Sequence, residues 1–160
     1  MVFRKAGKSE AKTVLALYMA VTGTPFCTWD ESYPGEEEIR NDLACGTLYV
    51  LEENGGLIGA VSIVPENELD GLDCWQVREN TREFARVVLR PDCQGKGLSV
   101  SLVEGILQEL RNRQAAAVHI AVAEGNVPAR RLYRKAGFDI RGEADLYGHH
   151  FILCEKILQG

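Results

Sequence analysis

Gln94-Gly95-Lys96-Gly97-Leu98-Ser99 joins the end of an apolar run to the start of a run with helical period. Glycine lets a backbone take positive φ and approach a ligand closely. The first N–H groups of a helix have no acceptor inside it, and the helix dipole draws anions to that end. Lys96 adds a positive charge. These residue types at this spacing suit a pyrophosphate. Two familiar nucleotide signatures do not fit. Lys96 is followed by Gly97 and Leu98 rather than by serine or threonine, and the third glycine of a dinucleotide fingerprint is replaced by Val100. Taken alone, the segment also reads as a plain strand–turn–helix with two permissive glycines.

A second motif lies further on, Asn126-Val127-Pro128-Ala129-Arg130-Arg131-Leu132-Tyr133-Arg134-Lys135-Ala136-Gly137-Phe138. Together the two resemble the GNAT superfamily of acetyl-CoA-dependent N-acetyltransferases. That family carries Q/R-x-x-G-x-G/A at a strand–helix turn, then N-x-x-A-x-x-L-Y-x-K-x-G-F. Gln94, Gly97, Asn126, Ala129, Leu132, Tyr133, Lys135, Gly137 and Phe138 match, and Ser99 stands where the family has glycine or alanine. The resemblance is strong over 82–138 and extends in element order over the whole chain.

The resemblance implies a site. The backbone of Val87 and Leu89 pairs with the pantetheine arm of acetyl-CoA like an added strand. The amides of Gln94, Gly95, Lys96, Gly97, Leu98 and Ser99 hold the pyrophosphate. The Asn126 side chain bonds the pantetheine, and Ala129 leaves room for it. Acetyl-CoA is then the cosubstrate, and no metal is expected. Arg130, Arg131, Arg134 and Lys135 help attract a polyanion, although at least two of them are expected to be a solvated helix face.

Acetyl transfer to an amine needs a neutral nitrogen, a donor for the developing oxyanion and a proton for the departing thiolate. Tyr133 matches the family tyrosine near the sulfur, a general acid; its plainer role is a core aromatic beside Leu132 and Phe138. Glu83 matches the position of a catalytic glutamate in some members, on the strand that ends at the turn. Strand alternation puts Glu83, Ala85, Val87 and Leu89 on one face, where a carboxylate among apolar neighbours makes a good base. A strand-edge glutamate paired with Arg82 or Arg86 is the competing reading. Other members place a glutamate in the next strand, which here reads His119-Ile120-Ala121-Val122-Ala123 and has none. His149 is the next base candidate and, with His150, opens the last strand. The family's direct transfer leaves Cys93 and Cys154 without a carrier role.

Trp29, Tyr33, Glu83 and His149 are the expected acceptor-binding residues, with Asp30 and an acidic loop over 65–81 beside them. Aromatic rings and acids suit a cationic amine. For Trp29 a hydrophobic cap over the first two helices competes. The expected acceptor is a primary amine of a small molecule. A non-catalytic acyl-CoA sensor and a protein N-terminal or lysine acetyltransferase are the alternatives.

These residues need a scaffold. A strand over 2–6 leads to a helix capped by Ser9 and running to Val21. Pro34 opens a second helix, with Glu36, Glu37 and Glu38 in its first turn and Gly46 at its end. Asn54-Gly55-Gly56 turns a hairpin between 47–53 and 57–64. A strand over 82–90 precedes the cradle. The clearest helix is 97–113, where Leu98, Leu102, Ile106 and Leu110 recur every four residues. Gly105 in its middle points to close packing. A buried-type strand over 115–123, a helix over 126–136 capped by Asn126, and strands over 138–142 and 148–158 complete the order βααβββαβαββ. That order predicts an α/β (or α+β) domain over 1–160. Its mixed, mostly antiparallel twisted sheet is flanked by helices and splayed between the fourth and fifth strands.

Composition agrees. The 160 residues are 46% apolar and 26% charged, ordinary for a globular protein. The net charge of −5 divides into −8 over 1–81 and +3 over 82–160, so both cofactor motifs lie in the basic half. A nucleic-acid partner is not expected. Five cysteines without a C-x-x-C predict free thiols in a cytoplasmic protein. Apolar stretches are strand-sized, so no membrane span or leader is expected. A homodimer is compatible with the resemblance.

Overall fold

A computed structural model describes residues 1–65 and 68–159, without the Glu68 side chain. Glu66 and the Glu68 side chain of the acidic loop therefore lie outside what is described. The elements are β1 (Val2–Lys5), α1 (Ala11–Val21), α2 (Glu36–Cys45), β2 (Leu48–Glu53), β3 (Gly56–Val64), β4 (Thr81–Leu89), α3 (Leu98–Asn112), β5 (Ala117–Ala123), α4 (Val127–Lys135), β6 (Asp139–Leu146) and β7 (His149–Ile157). They keep the expected order. The strands form one sheet, β1-β2-β3-β4-β5-β7-β6. Every neighbouring pair is antiparallel except β4 and β5, which run parallel.

Local chemistry explains most boundaries. Asn54 and Gly55 take the left-handed turn that closes the β2–β3 hairpin. Gly46 ends α2 with φ 69°. Two helix starts differ from expectation. Ser9 does not cap α1: residues 8–10 form a single 3₁₀ turn, and the Glu10 carboxylate accepts from the Gly7 N–H at 2.8 Å. Pro34 is not the first residue of α2, because Gly35 is its extended N-cap and the helix begins at Glu36.

The sheet has two covered faces. On one, α3 and α4 bury Leu102, Val103, Ile106, Leu107, Leu110 and Tyr133 against Tyr49, Val61, Phe84, Leu89, Val118, Ile120 and Val122. Close approach is required here: a Cβ on Gly105 would lie 2.6 Å from Phe3 Cγ, in keeping with its mid-helix position. On the other face, α1 and α2 bury Val14, Leu17, Tyr18 and Ile39 against Leu48, Val50, Ala60 and Val88. The loop after β3 covers the rest of that face, packing Leu69 and Trp75 over Leu153 and Ala121.

Candidate active site

The β4–β5 ladder is short. Thr81, Arg82 and Glu83 register with Ala117, Val118 and His119, and the pairing stops there. Beyond Glu83 and His119 the strands part, leaving the expected slot. Leu89 carries its peptide edge into that slot. The Arg90 N–H donates to Ile58 O at 2.7 Å, toward β3. Backbone alternation then turns the peptide groups of Leu89 and Val87 the other way. The Leu89 carbonyl is taken by Gln94 Nε2 at 3.1 Å, which leaves the Leu89 N–H and the Val87 peptide as strand-edge groups of the kind that pair with an extended ligand.

β4 does not alternate as expected. Arg86 has φ 52°, and the register steps so that Arg86 and Val87 together oppose Val61. A bulge inserts one residue and reverses the parity of the strand beyond it. Glu83 and Ala85, opposite Val64 and Ser62, therefore lie on the α1–α2 face, while Val87 and Leu89 pack on the α3 side. The four do not share a face. Arg86 turns its guanidinium toward α2 and the loop before it. Its Nη2 donates to both Asp42 oxygens at 3.0 Å and its Nη1 to Tyr33 Oη at 3.3 Å.

The cradle comes directly after β4. Gly95 and Gly97 both have φ 77°, and an added Cβ on either would meet nothing within 4 Å. Conformation, not space, asks for glycine at these two positions. Gly97 is the N-cap of α3 and offers no side-chain acceptor, so the first-turn amides of Leu98 and Ser99 face outward. Gln94 Nε2 donates to Leu89 O at 3.1 Å, tying the turn to the strand end. Lys96 is exposed.

Across the slot, Asn126 Oδ1 accepts from the Ala129 N–H at 3.2 Å and caps α4. Its amide NH₂ is the part left for a ligand. Tyr133 is buried, 5.7 Å ring to ring from both Phe84 and Phe138. Burial, with Cys154 beside it, pushes the phenol well above the ordinary tyrosine range. The ring is a core aromatic, and its phenol stays protonated at neutral pH. Arg130, Arg131, Arg134 and Lys135 are mostly at the surface of α4.

The acceptor candidates separate. Tyr33 is brought to the bulge through Arg86. Trp29 packs edge-on against Tyr18 at 5.4 Å, within the α1–α2 cluster. Asp30 accepts from the Ser32 and Tyr33 N–H groups at 2.7 and 3.0 Å, shaping that loop. His149 is not brought near Glu83. It opens β7 six residues before Glu155, the partner of His119, which is roughly 20 Å along a strand. His150 beside it bonds Glu143 and Asp145 at 2.8 and 2.7 Å.

The sequence reading missed four residues that share this face: Asp42, Trp75, His119 and Glu155. Trp75 stacks on His119 at 3.9 Å, and Glu155 meets His119 at 2.8 Å. A signal was present. His119 and Glu155 are polar members of largely apolar strands, AVHIAVA and HHFILCEKI. All five cysteines are free thiols. Among the described residues no helix is long and apolar enough to cross a membrane.

The splayed sheet, bulged strand and glycine cradle define a recognisable class. The model of the acetyltransferase (GNAT) family matches residues 14–138, and the chain belongs to that family. It is 25% identical over 154 residues to the L-methionine sulfoximine/L-methionine sulfone acetyltransferase of Pseudomonas aeruginosa, covering 92% of this chain and 86% of that one. The fold superposes on a GNAT-family acetyltransferase from Streptococcus agalactiae with TM-score 0.82, at 20% identity over 99% of this chain and 96% of that one. It also superposes on yncA of Salmonella typhimurium, solved with its cofactor acetyl-CoA. There the TM-score is 0.75, at 21% identity over 100% and 95% of the two chains. Family and neighbour support acetyl-CoA as cosubstrate.

Proposed function

We propose that this acetyltransferase moves the acetyl group of acetyl-CoA directly to the primary amine of a small molecule, with Glu83 as base and Tyr133 as acid. The carrying observation is the fork of the sheet. Glu83 is the last β4 residue before the strands part, on the α1–α2 face. Tyr133 packs from the α4 face on Phe84, the residue after Glu83, at 5.7 Å ring to ring. An amine entering from one side and a thioester from the other meet between them.

The residues fit the cosubstrate. The outward Val87 peptide and Leu89 N–H suit an extended amide arm, and the Gly95–Gly97 turn with the α3 amides suits its pyrophosphate. Asn126 Nδ2 would bond the arm from α4. Acetyl-CoA supplies a thioester carbonyl open to attack by a neutral amine. Glu83 takes the ammonium proton, Tyr133 gives a proton to the leaving sulfur, and the closed core around Phe84 and Phe138 excludes water.

Tyr33 and Glu83 are the acceptor-side groups, and Trp29 supports them by packing. The small-molecule reading rests on the Pseudomonas relative, whose name gives amino-acid acceptors. The chemistry as read uses no metal, so activity should survive a chelator. A cytoplasmic site of action suits free thiols and acetyl-CoA.

The test is thiol release from acetyl-CoA against L-methionine sulfoximine, polyamines, free amino acids and peptides. Turnover of a small amine is expected. Turnover of peptides alone would move the acceptor to proteins, and binding of acetyl-CoA without turnover would make the chain a sensor.

A further inference from the structure

His119 is 2% exposed and Glu155 fully buried, in the middle of the sheet. Glu155 is heavily donated to. Oε1 accepts from Arg141 Nε at 2.7 Å and the Gln76 N–H at 3.1 Å; Oε2 accepts from the Val77 N–H at 3.0 Å. Burial works against its charge, but the bonds from Arg141, Val77, His119 and Gln76 outweigh that and hold its carboxyl below the usual range. An ionised carboxylate only accepts, so the 2.8 Å contact to His119 Nε2 requires the ring proton on Nε2. In the neutral ring, Nδ1 is then a bare acceptor. Nδ1 is buried and has no hydrogen-bond partner among the described residues.

Trp75 stacks flat on the ring at 3.9 Å and 7°, and its own N–H is spent on Leu69 O at 2.7 Å. The stack and the Glu155 bond fix the ring's orientation. Its neighbour in register across the fork is Glu83, with Cα atoms about 4.8 Å apart and side chains on the same face. Among the described residues, the charged and titratable groups on the elements packed about the ring include Glu83 of β4, Glu155 of β7 and Arg141 of β6, with Cys74, Asp73 and Arg78 of the covering loop grouped near Glu155.

We propose that His119 is the proton-receiving partner of Glu83, a positioning residue held as an Nε2–H tautomer by Glu155 and Trp75. This rests on the acetyl-transfer reading. Converting R–NH₃⁺ to an amide removes two protons from nitrogen, while the sulfur takes one. In the first step an N–H bond breaks and Glu83 gains O–H. The acid then passes that proton to His119 Nδ1, leaving an imidazolium opposite the Glu155 carboxylate. Glu83, again a carboxylate, takes the second proton as the amide forms. Tyr133 protonates sulfur and is reprotonated from this store, and the remaining proton leaves to water.

The experiment compares wild type, H119Q and E83Q on the amine turned over fastest in the screen, between pH 7 and pH 10. Glutamine keeps an N–H toward Glu155 and deletes the Nδ1 acceptor. H119Q should lose about tenfold or more in kcat near pH 7, with KM for acetyl-CoA unchanged. The deficit should shrink as rising pH deprotonates the amine itself. A pH-independent deficit, or none, overturns the proposal. Wild-type turnover by E83Q would instead remove Glu83 as base. Should H119Q fail to fold, the ring ¹⁵N spectrum of the wild-type protein decides. A neutral His119 protonated at Nε2 supports the proposal, and protonation at Nδ1 overturns it.

Discussion

Arg86 of β4 donates to both carboxylate oxygens of Asp42 on α2 at 3.0 Å, and the pair fastens a helix to the bulge. Asp42 is further held by Ser62 Oγ at 2.5 Å and Thr47 Oγ1 at 3.0 Å. Arg86 has an unfavourable left-handed backbone for a long side chain. The buried ion pair offsets that strain and orients the peptides around Ala85, Arg86 and Val87 that border the slot.

Asp42→Ala should therefore cost stability and turnover together. The side chains are 7% and 17% exposed, so removing the carboxylate strands a largely buried guanidinium. The expected loss is about 3 kcal/mol. Thermal unfolding should fall by roughly 10 °C for a chain of this size. Because the bulge borders the reacting centre, kcat should fall in the fraction that stays folded. A drop in Tm with unchanged kcat would leave the pair a structural tie alone.

The cradle should answer to conformation. Gly97→Ala forces a Cβ into φ 77°, which costs about 1–2 kcal/mol of strain at the N-terminus of α3. KM for acetyl-CoA should rise while kcat at saturation changes little. Gln94→Ala frees Leu89 O and should act in the same direction, more weakly. Titration calorimetry with CoA checks both. Equal CoA affinity in wild type and Gly97→Ala would move the pyrophosphate away from this turn.

The α3–β1 contact gives a packing prediction. A methyl at Gly105 would meet Phe3 Cγ at 2.6 Å and Cβ at 2.9 Å, too near the backbone for a rotamer change to absorb. Gly105→Ala gains helix propensity but overpacks, and the net loss should be about 1–3 kcal/mol. Phe3 also stacks on Tyr49 at 5.5 Å, so the shift should spread to β2. The double variant with Phe3→Ala, which removes Cγ and the ring, should recover part of the loss. Denaturant unfolding of the four proteins of this cycle gives the coupling.

Most of the scaffold was legible because it is written in local chemistry. Asn54-Gly55, Gly46, Gly97 and Asn126 each carry the backbone demand of one turn or cap. The repeat of Leu102, Ile106 and Leu110 marks the buried stripe of α3. The glycine turn after β4 was legible for the same reason, since its residues are contiguous. The polar face around the bulge and the fork was not. Arg86 flips the parity of β4 without a glycine or proline to announce it. Its partners, Tyr33 and Asp42, are 53 and 44 residues away. His119 and Glu155 stand 36 residues apart and meet only because β5 pairs with β7 in one register. Alternation within a strand sees none of these contacts. His149 has the residue type of a base, but its distance along β7 removes it from the fork.

The β6–β7 hairpin end gives a pH prediction of its own. His150 is bracketed by Glu143 and Asp145, and ligand atoms of Glu124, Glu143 and His150 fall within 4.8 Å of one another. The hydrogen bond to Glu143, then that to Asp145, raises the His150 pKa to about 9. A histidine raised in the folded state contributes stability that is complete below its ordinary value of about 6.5 and is lost as pH climbs through about 9. The group is at the surface, so the effect on stability is small and salt-sensitive. The titration itself is the sharper readout. In proton NMR the His150 ring should stay charged through neutral pH and titrate at about 9, while Glu143→Gln should move it back toward about 6.5. A wild-type midpoint of about 6.5 would mean that the two carboxylates do not hold the ring in solution.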